Sequence, residues 1–579
     1  MKLWCTFVIL TALATSKSFA TDTPEVFLPD LGSVVGVVDK TLWTNQSFYS
    51  YRSIPYAESP SGELRFQPPK SRSAWNKTFD ARNFGIMCPS MEDLSTYNET
   101  QLQEDFEDCL SINVYTKNLK AQLPVMFYIC GGAFGFAYAA LYRPHYLMEK
   151  DIVVVVPQYR VGALGFLTTL TDEMPGNVPI MDMQLSLDWV QKYIHLFGGD
   201  PTKVTLFGQS AGAAMLTSVL ASPKTKPAYF KNAIVQSGSV LAPWCVQRNP
   251  LALVKRFCVA LACTNCDSKS GINECLRNVH PFEVVKAQKK IKFSPVIGDI
   301  HGVLPDEPKT LLANLNRTIP SMTGFTKHDG SFLLAESYDT LVEQYGSISN
   351  VTVREFANLL IAESKDNTGL AYNLLLHNLF KPEILDTNNH SEAWLAYFDI
   401  ANDVNFKSPA IAYANAMHRK GYPVYLYAFD YAGEYTRFMN GDRYPFEGGV
   451  HHGDENIYIF NYYSLNSVDT AFAKRMVNLW YSFAVEGEPK VADQPQLIIK
   501  PMNGNAGPYF HLNKDITFGN DVLVELTSTL NDPDSYKLIK SAKSNAGSGV
   551  EGLFVIDSIK YFILTLLSIP ILIHTYLIL

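Results

Sequence analysis

The stretch Val204-Thr205-Leu206-Phe207-Gly208-Gln209-Ser210-Ala211-Gly212-Ala213-Ala214 decides the fold. Four residues of strand preference run into Gly-x-Ser-x-Gly, and a segment of small residues with helix preference follows. That order describes a nucleophile elbow, a sharp strand-to-helix turn that lifts a serine hydroxyl above the edge of a sheet. Gly208 and Gly212 fall where strand and helix backbones come too close for a Cβ. A helix beginning at Ala211 aims free N–H groups and a partial positive charge at the place where an oxyanion would form. With Gly and Ser each ~7% of residues, the pattern arises by chance about 0.2 times in a chain this long. The motif alone is therefore insufficient, and its surroundings have to carry the reading.

Upstream, residues 124–129 are a continuous apolar run that ends at Cys130-Gly131-Gly132-Ala133-Phe134-Gly135. A buried parallel strand leading into a glycine loop presents unpaired backbone N–H groups to an anion. Residues 152–157 and 203–207 are runs of the same kind, and residues 181–197 between them have helical spacing at Leu185, Leu187, Val190 and Ile194. Strand, helix and strand in this rhythm predict an α/β fold: a large, mostly parallel mixed sheet covered by helices on both faces. Further strands are expected at 232–236 and 423–429, and mainly helix over 250–290 and 335–420. Residues 471–485 predict an amphipathic helix with Met476, Leu479, Trp480 and Phe483 on one face. Residues 25–80 read as short strands and turns, and residues 107–115 lead into another strand. With no internal repeat, low-complexity tract or linker before about residue 540, one large domain over 21–540 is the economical organisation.

Of the 579 residues 47% are hydrophobic and 18% charged, which suits a full core. A formal net charge of −8 argues against nucleic acid and against non-specific binding to anionic membranes. Residues 1–20 read as a secretory signal: Lys2 starts it, residues 3–13 are largely apolar, and Ser18-Phe19-Ala20 offers small residues for cleavage. Six glycosylation sequons, at Asn45, Asn76, Asn98, Asn316, Asn350 and Asn389, fit an exported chain. Nine cysteines include Cys5 in the signal, and the other eight would meet an oxidising compartment, where disulfides are the default. Cys263-Thr-Asn-Cys266 lacks a second pair, so no metal site is expected.

Residues 541–579 form a tail of their own. Small residues at 544–549, a stretch to Lys560 and an apolar terminus from 561 fit the signal for a glycosylphosphatidylinositol anchor, in which the apolar tail is removed. A membrane span is the alternative, at about 19 residues against the ~20 needed. Pro570 in its middle and the lack of basic residues after it oppose that reading. A helix buried in the fold is the third option.

Taken together, the blocks resemble the type B carboxylesterase/cholinesterase family of the α/β-hydrolase fold, its insect-type carboxylesterases included. Besides the elbow and the glycine loop, the resemblance is carried by Ile54-Pro55-Tyr56-Ala57, Leu64-Arg65-Phe66, Glu107-Asp108-Cys109-Leu110 and Tyr159-Arg160-Val161-Gly162-Ala163-Leu164-Gly165-Phe166. Phe197-Gly198-Gly199-Asp200-Pro201 and Gln236-Ser237-Gly238-Ser239 complete it. The resemblance implies Ser210 as nucleophile. It places the acid in a Gly-x-x-x-x-Glu-Gly block, here residues 324–330, so that Asp329 stands where most members carry Glu and its loop must sit closer to the base. The base falls in His452-Gly453-Asp454-Glu455, with the adjacent His451 as rival. His452 would take the serine proton and return it to the leaving alcohol while Asp329 orients the imidazole. The implied oxyanion hole is the backbone N–H groups of Gly132, Ala133 and Ala211, each donor worth about 3–4 kcal/mol when lost. Cys130 departs from the His or Tyr usual at its position and is a poor donor, read as a buried thiol of no consequence or as a sign that the loop is held differently. Gln158 and Met183 depart as well, from Asn and Gln. Family positions imply disulfides Cys88–Cys109 and Cys263–Cys275. Cys258 and Cys266 could pair locally, leaving Cys130 and Cys245 unassigned.

The resemblance implies a secreted or surface-attached serine carboxylesterase acting on a small-molecule ester through an acyl-enzyme, with no cofactor. The cholinesterase branch is disfavoured, because its choline site relies on a tryptophan in the first disulfide loop and residues 89–108 contain none. Trp244 matches an acyl-pocket position, and a core tryptophan is the alternative. Gln209 favours a juvenile-hormone-type esterase without establishing it. The rival class is an adhesion protein that kept the fold and lost catalysis, against which all three triad positions are filled.

Overall fold

The computed structural model describes residues 24–540, apart from 91–105, 289–290, 363–375, 377–378, 440 and 526–534. Short N-terminal segments with alternating burial form β1 (Val26–Leu28), β2 (Gly32–Val35), β3 (Val37–Lys40), β4 (Ser47–Pro55) and β5 (Phe79–Asp80). The apolar runs at 124–129, 152–157, 203–207, 232–236 and 423–429 fall in β7 (Leu123–Ile129), β8 (Val153–Pro157), β9 (Gly199–Gln209), β10 (Asn232–Gln236) and β12 (Val424–Phe429), and the more mixed segments β6 (Ser111–Thr116) and β11 (Ser321–Thr326) join them. β13 (Tyr509–Leu512) and β14 (Thr517–Gly519) follow. Among the described residues eleven of these make one sheet in the order β3-β4-β6-β8-β7-β9-β10-β11-β12-β13-β14, and β1, β2 and β5 make a small second sheet. From β8 through β13 the neighbours run parallel. β3, β4 and β6 at one end and β14 at the other pair antiparallel.

Every residue of β8, β10, β11 and β12 is buried. A strand with no wet face needs cover on both sides, so the helices on the two faces follow from the apolar runs. The helix Ser467–Glu486 is the expected amphipathic one, with Met476, Leu479, Trp480 and Phe483 fully buried. It is longer than its apolar stripe: Asn466 caps it by accepting from the Asp469 N–H, and Gly487 ends it in a left-handed conformation. The helix expected at 181–197 runs Val178–Tyr193, entered through Pro179, and its last turn tightens into a 3-10 helix, Ile194–Phe197. A second apolar cluster lies beneath the helices Ser331–Tyr345, Val353–Ala362 and Trp394–Asn402.

Cys88–Cys109, Cys258–Cys266 and Cys263–Cys275 are bridged, while Cys130 and Cys245 are buried free thiols. Among the described residues no helix is long and apolar enough to cross a membrane. The signal expected at 1–20 and the tail at 541–579 lie outside the described residues.

One buried ion pair joins the segment after β8 to the helix behind the site. Arg160 Nε donates to Asp182 Oδ2 at 2.9 Å and Nη2 to Oδ1 at 2.6 Å, and Nη1 reaches the Gln67 carbonyl at 2.8 Å. Both side chains are nearly inaccessible, so neither charge can fall back on water. Removing one partner strands the other, at a cost of roughly 3–5 kcal/mol. Asp182→Ala is expected to lose that much in urea unfolding followed by tryptophan fluorescence; a loss below about 1 kcal/mol would show that the pair contributes no more than a surface bridge.

Candidate active site

β9 ends at Gln209, and the next residue turns the chain sharply. Ser210 has φ 59° and ψ −130°, and the helix Ala211–Ala221 begins immediately after it. A non-glycine residue held there stores about 1–3 kcal/mol of strain. The turn is pinned by two backbone hydrogen bonds, Ser210 N–H to the Gln236 carbonyl at 2.8 Å and Ala214 N–H to the Ser210 carbonyl at 3.0 Å. Close packing explains the glycines: a Cβ at Gly212 would stand 2.0 Å from the Ile129 carbonyl oxygen, and one at Gly131 2.5 Å from that of Gln209. These contacts set the loop after β7 directly against the serine.

That loop is fastened through its carbonyls. The Tyr159 hydroxyl donates to the Cys130 carbonyl at 2.6 Å, Gly162 N–H to the Phe134 carbonyl at 2.7 Å, and the N–H groups of Gly135 and Phe136 to the Gly132 carbonyl at 3.0 Å each. Ala133 and Phe134 take φ of 51° and 58°. Among the described residues the N–H groups of Gly132, Ala133 and Ala211 have no protein acceptor. The Cys130 side chain takes no part in holding the loop. Its thiol is fully buried, and burial pushes its pKa well above the ordinary value.

The parallel strands deliver the remaining groups to the same edge. Asp329 follows β11 and is buried; its Oδ2 accepts from the Thr326 N–H at 3.0 Å, and its Oδ1 accepts from His452 Nδ1 at 2.6 Å. A carboxyl one methylene short of Glu reaches because the two loops are zipped together. His328 N–H donates to the Val450 carbonyl at 2.9 Å, and Val450 N–H donates to His328 Nδ1 at 2.9 Å. His451 points elsewhere, with its Nδ1 and the Ser331 hydroxyl 2.7 Å apart. Burial, with His452 and Arg437 nearby, pushes the His451 pKa well below its ordinary value and leaves it neutral.

Two features were not legible in the sequence. Phe332 and Phe406 flank the His452 ring at centroid distances of 4.9 and 4.7 Å. Phe406 lies in a π-helical turn, Asp403–Lys407, and the Trp244 indole donates to the Asn405 carbonyl of that turn at 3.0 Å. No periodicity announces a π turn, so no sequence signal pointed to Phe406. The other feature is Gln209, whose amide nitrogen lies 3.1 Å from His452 Nε2. Since Nδ1–H faces the Asp329 carboxylate, Nε2 is the acceptor and the amide is the donor. Nε2 is thus engaged by Gln209, and no hydrogen bond joins it to the Ser210 hydroxyl.

Of the sequon asparagines, Asn45, Asn76, Asn316, Asn350 and Asn389 are exposed, and Asn98 lies outside the described residues.

A mixed eleven-stranded sheet covered by helices, with a strained serine at the end of a central parallel strand, is the α/β-hydrolase fold. Residues 22–529 match the Carboxylesterase family, and the chain belongs to that family. It is 27% identical to glutactin of Drosophila melanogaster across 80% of this chain but only 47% of that protein, so it spans about half the length of that relative. It is 29% identical to the juvenile hormone esterase of Tribolium castaneum, across 79% of this chain and 83% of the relative. Identity to carboxylesterase 5A of Canis lupus familiaris is 30%, across 89% of this chain and 90% of the relative.

Behind the histidine lies a cluster of buried carboxyls. Burial, with Asp329 alongside, pushes Glu455 up to about 8, and burial pushes Asp454 up to about 7. Glu455 accepts from the Gln236 amide at 3.3 Å through Oε1, whereas its buried Oε2 has no partner among the described residues. A carboxyl whose folded pKa lies above the unfolded value of about 4.3 stabilises most below that pH and loses its contribution as pH rises through the folded pKa. Wild-type unfolding free energy is therefore expected to fall between about pH 5 and 9 more steeply than that of Glu455→Gln, which cannot ionise. Denaturant titrations at stepped pH measure this, and parallel curves for the two proteins would remove Glu455 as the source.

Proposed function

We propose that this chain is a serine carboxylesterase that hydrolyses carboxylic esters through an acyl-enzyme. The observation that carries the reading is the 2.6 Å hydrogen bond from His452 Nδ1 to Asp329, made at the strand edge where Ser210 is held in its strained turn. In this reading His452 Nε2 takes the Ser210 proton as the hydroxyl oxygen attacks the ester carbonyl. The N–H groups of Gly132, Ala133 and Ala211, which have no protein acceptor among the described residues, receive the developing oxyanion. Imidazolium then protonates the departing alcohol. Water, activated by the same nitrogen, releases the acid and restores Ser210. Asp329 keeps the proton on Nδ1 and stabilises the cation. Phe332 and Phe406 against the ring, with Trp244 packed on Phe406, favour an apolar group beside the carbonyl over a charged one. Similarity to a juvenile hormone esterase, together with Gln209, supports an apolar ester of that class as one substrate to try.

The chain is read as exported, consistent with its three disulfides and five exposed sequon asparagines, and as attached to the cell surface by a glycosylphosphatidylinositol anchor added in place of the apolar tail.

A fluorophosphonate probe is expected to label Ser210. Ser210→Ala should abolish labelling and aryl-ester hydrolysis, and His452→Ala should come close, because triad members act as a unit. Asp329→Asn should lower turnover by about 10⁴ through the wrong imidazole tautomer. Folded protein that takes no label and hydrolyses nothing in a broad ester panel would instead be a non-catalytic member of the fold, such as an adhesion protein. For the anchor, phosphatidylinositol-specific phospholipase C should release active protein lacking residues 561–579 from expressing cells. Retention on the cells, with tail peptides recovered from the mature chain, would replace the anchor by a membrane span.

A further inference from the structure

The bond between Gln209 and His452 is not needed to build the elbow. Gln209 is the last residue of β9, and its side chain is buried and directed across the site to the base. A point where a Gly453 Cβ would stand lies 3.1 Å from Gln209 Nε2 and 2.9 Å from Arg437 Nη1, so the amide and a guanidinium flank the residue next to His452. The groups facing the imidazole can be taken element by element. Asp329, after β11, receives the Nδ1 proton. Arg437 comes from the loop after β12, and neutral His451 and the high-pKa carboxyls Asp454 and Glu455 come from its own loop. Phe332 and Phe406 bring no charge. On the Nε2 side the contact is an uncharged amide.

This inference rests on the catalytic reading of His452. We propose that Gln209 is a positioning residue: its amide caps Nε2 in the resting enzyme, holds the neutral imidazole with its proton on Nδ1, and keeps the base competent at lower pH than a carboxylate there would allow. An amide N–H donates to the neutral ring but not to an Nε2 that already carries a proton, so the cap favours the form that can accept from serine. For attack to occur the amide rotates off Nε2 and the Ser210 hydroxyl takes its place.

The test compares full-length wild type, Gln209→Glu and Gln209→Met. It follows kcat/KM for a neutral aryl ester and the rate of fluorophosphonate labelling from about pH 5 to 9, since the acid limb reports the pKa of the free base. A carboxylate facing the imidazole favours its charged form, so Gln209→Glu is expected to move the midpoint of the acid limb upward by about one unit or more in both assays. Gln209→Met is similar in size, removes the donor and brings no charge, so its midpoint should rise only by the smaller amount due to the lost cap. A folded Gln209→Glu protein whose midpoint matches wild type overturns the proposal. So does a Gln209→Met protein that shifts upward as far, since the effect would then be repacking rather than charge. Wild type that neither hydrolyses nor labels at any pH removes the triad reading and this proposal with it, a result distinct from active proteins sharing one profile.

Discussion

A serine with φ 59° is the constraint on which the rest of this structure turns. The chain does not adopt that conformation unaided, and the molecule supplies what holds it. β9 is paired on both sides, to β7 and β10, so its end cannot move. Gln236 grips the Ser210 N–H, and the next helix packs so close that Gly212 lies against the Ile129 carbonyl. Strain of about 1–3 kcal/mol persists only where surrounding contacts over-determine it. Here they do so from three neighbouring strands.

The same packing settles what surrounds the serine. With the carbonyls of Cys130, Gly132 and Phe134 engaged by their neighbours, the amides of Gly132 and Ala133 are left without acceptors among the described residues. The departure at Cys130 thus has a physical account: the loop is held by its backbone, through Tyr159 and Gly162, and the side chain is a buried thiol. Asp329 has a comparable account. The bonds between His328 and Val450, one backbone to backbone and one from the Val450 N–H to the His328 imidazole, bring the Asp329 and His452 loops within reach of a short carboxyl.

Electrostatically the region behind the site is crowded and dry. Buried Glu455 and Asp454 are held towards their neutral forms, and His451 is kept neutral chiefly by burial, with His452 and Arg437 nearby. Such an environment leaves the ring bonded to Asp329 in contact with an amide and two aromatic faces, so the few polar contacts to His452 carry unusual weight.

Much of this was legible in the sequence. The apolar runs marked β7 to β10 and β12, because a strand buried on both faces has no reason to alternate, whereas β11, Ser-Met-Thr-Gly-Phe-Thr, carries no such run. The glycines of the elbow and the loop marked close backbone approach, and the family resemblance of the blocks around Asp329 and His452 pointed to residues that the fold brings to 2.6 Å. Helix ends were less legible, since Asn466 and Gly487 act through single local bonds that a periodicity does not register. What tertiary structure alone decided was direction: that His451 faces Ser331, that Phe406 leans on His452 from a π turn, and that the Gln209 amide reaches His452 Nε2. Side-chain direction depends on how segments hundreds of residues apart are packed, and no local pattern encodes that. Residue type and spacing, by contrast, follow from what each strand must bury and each turn must permit, and these the chain states in order.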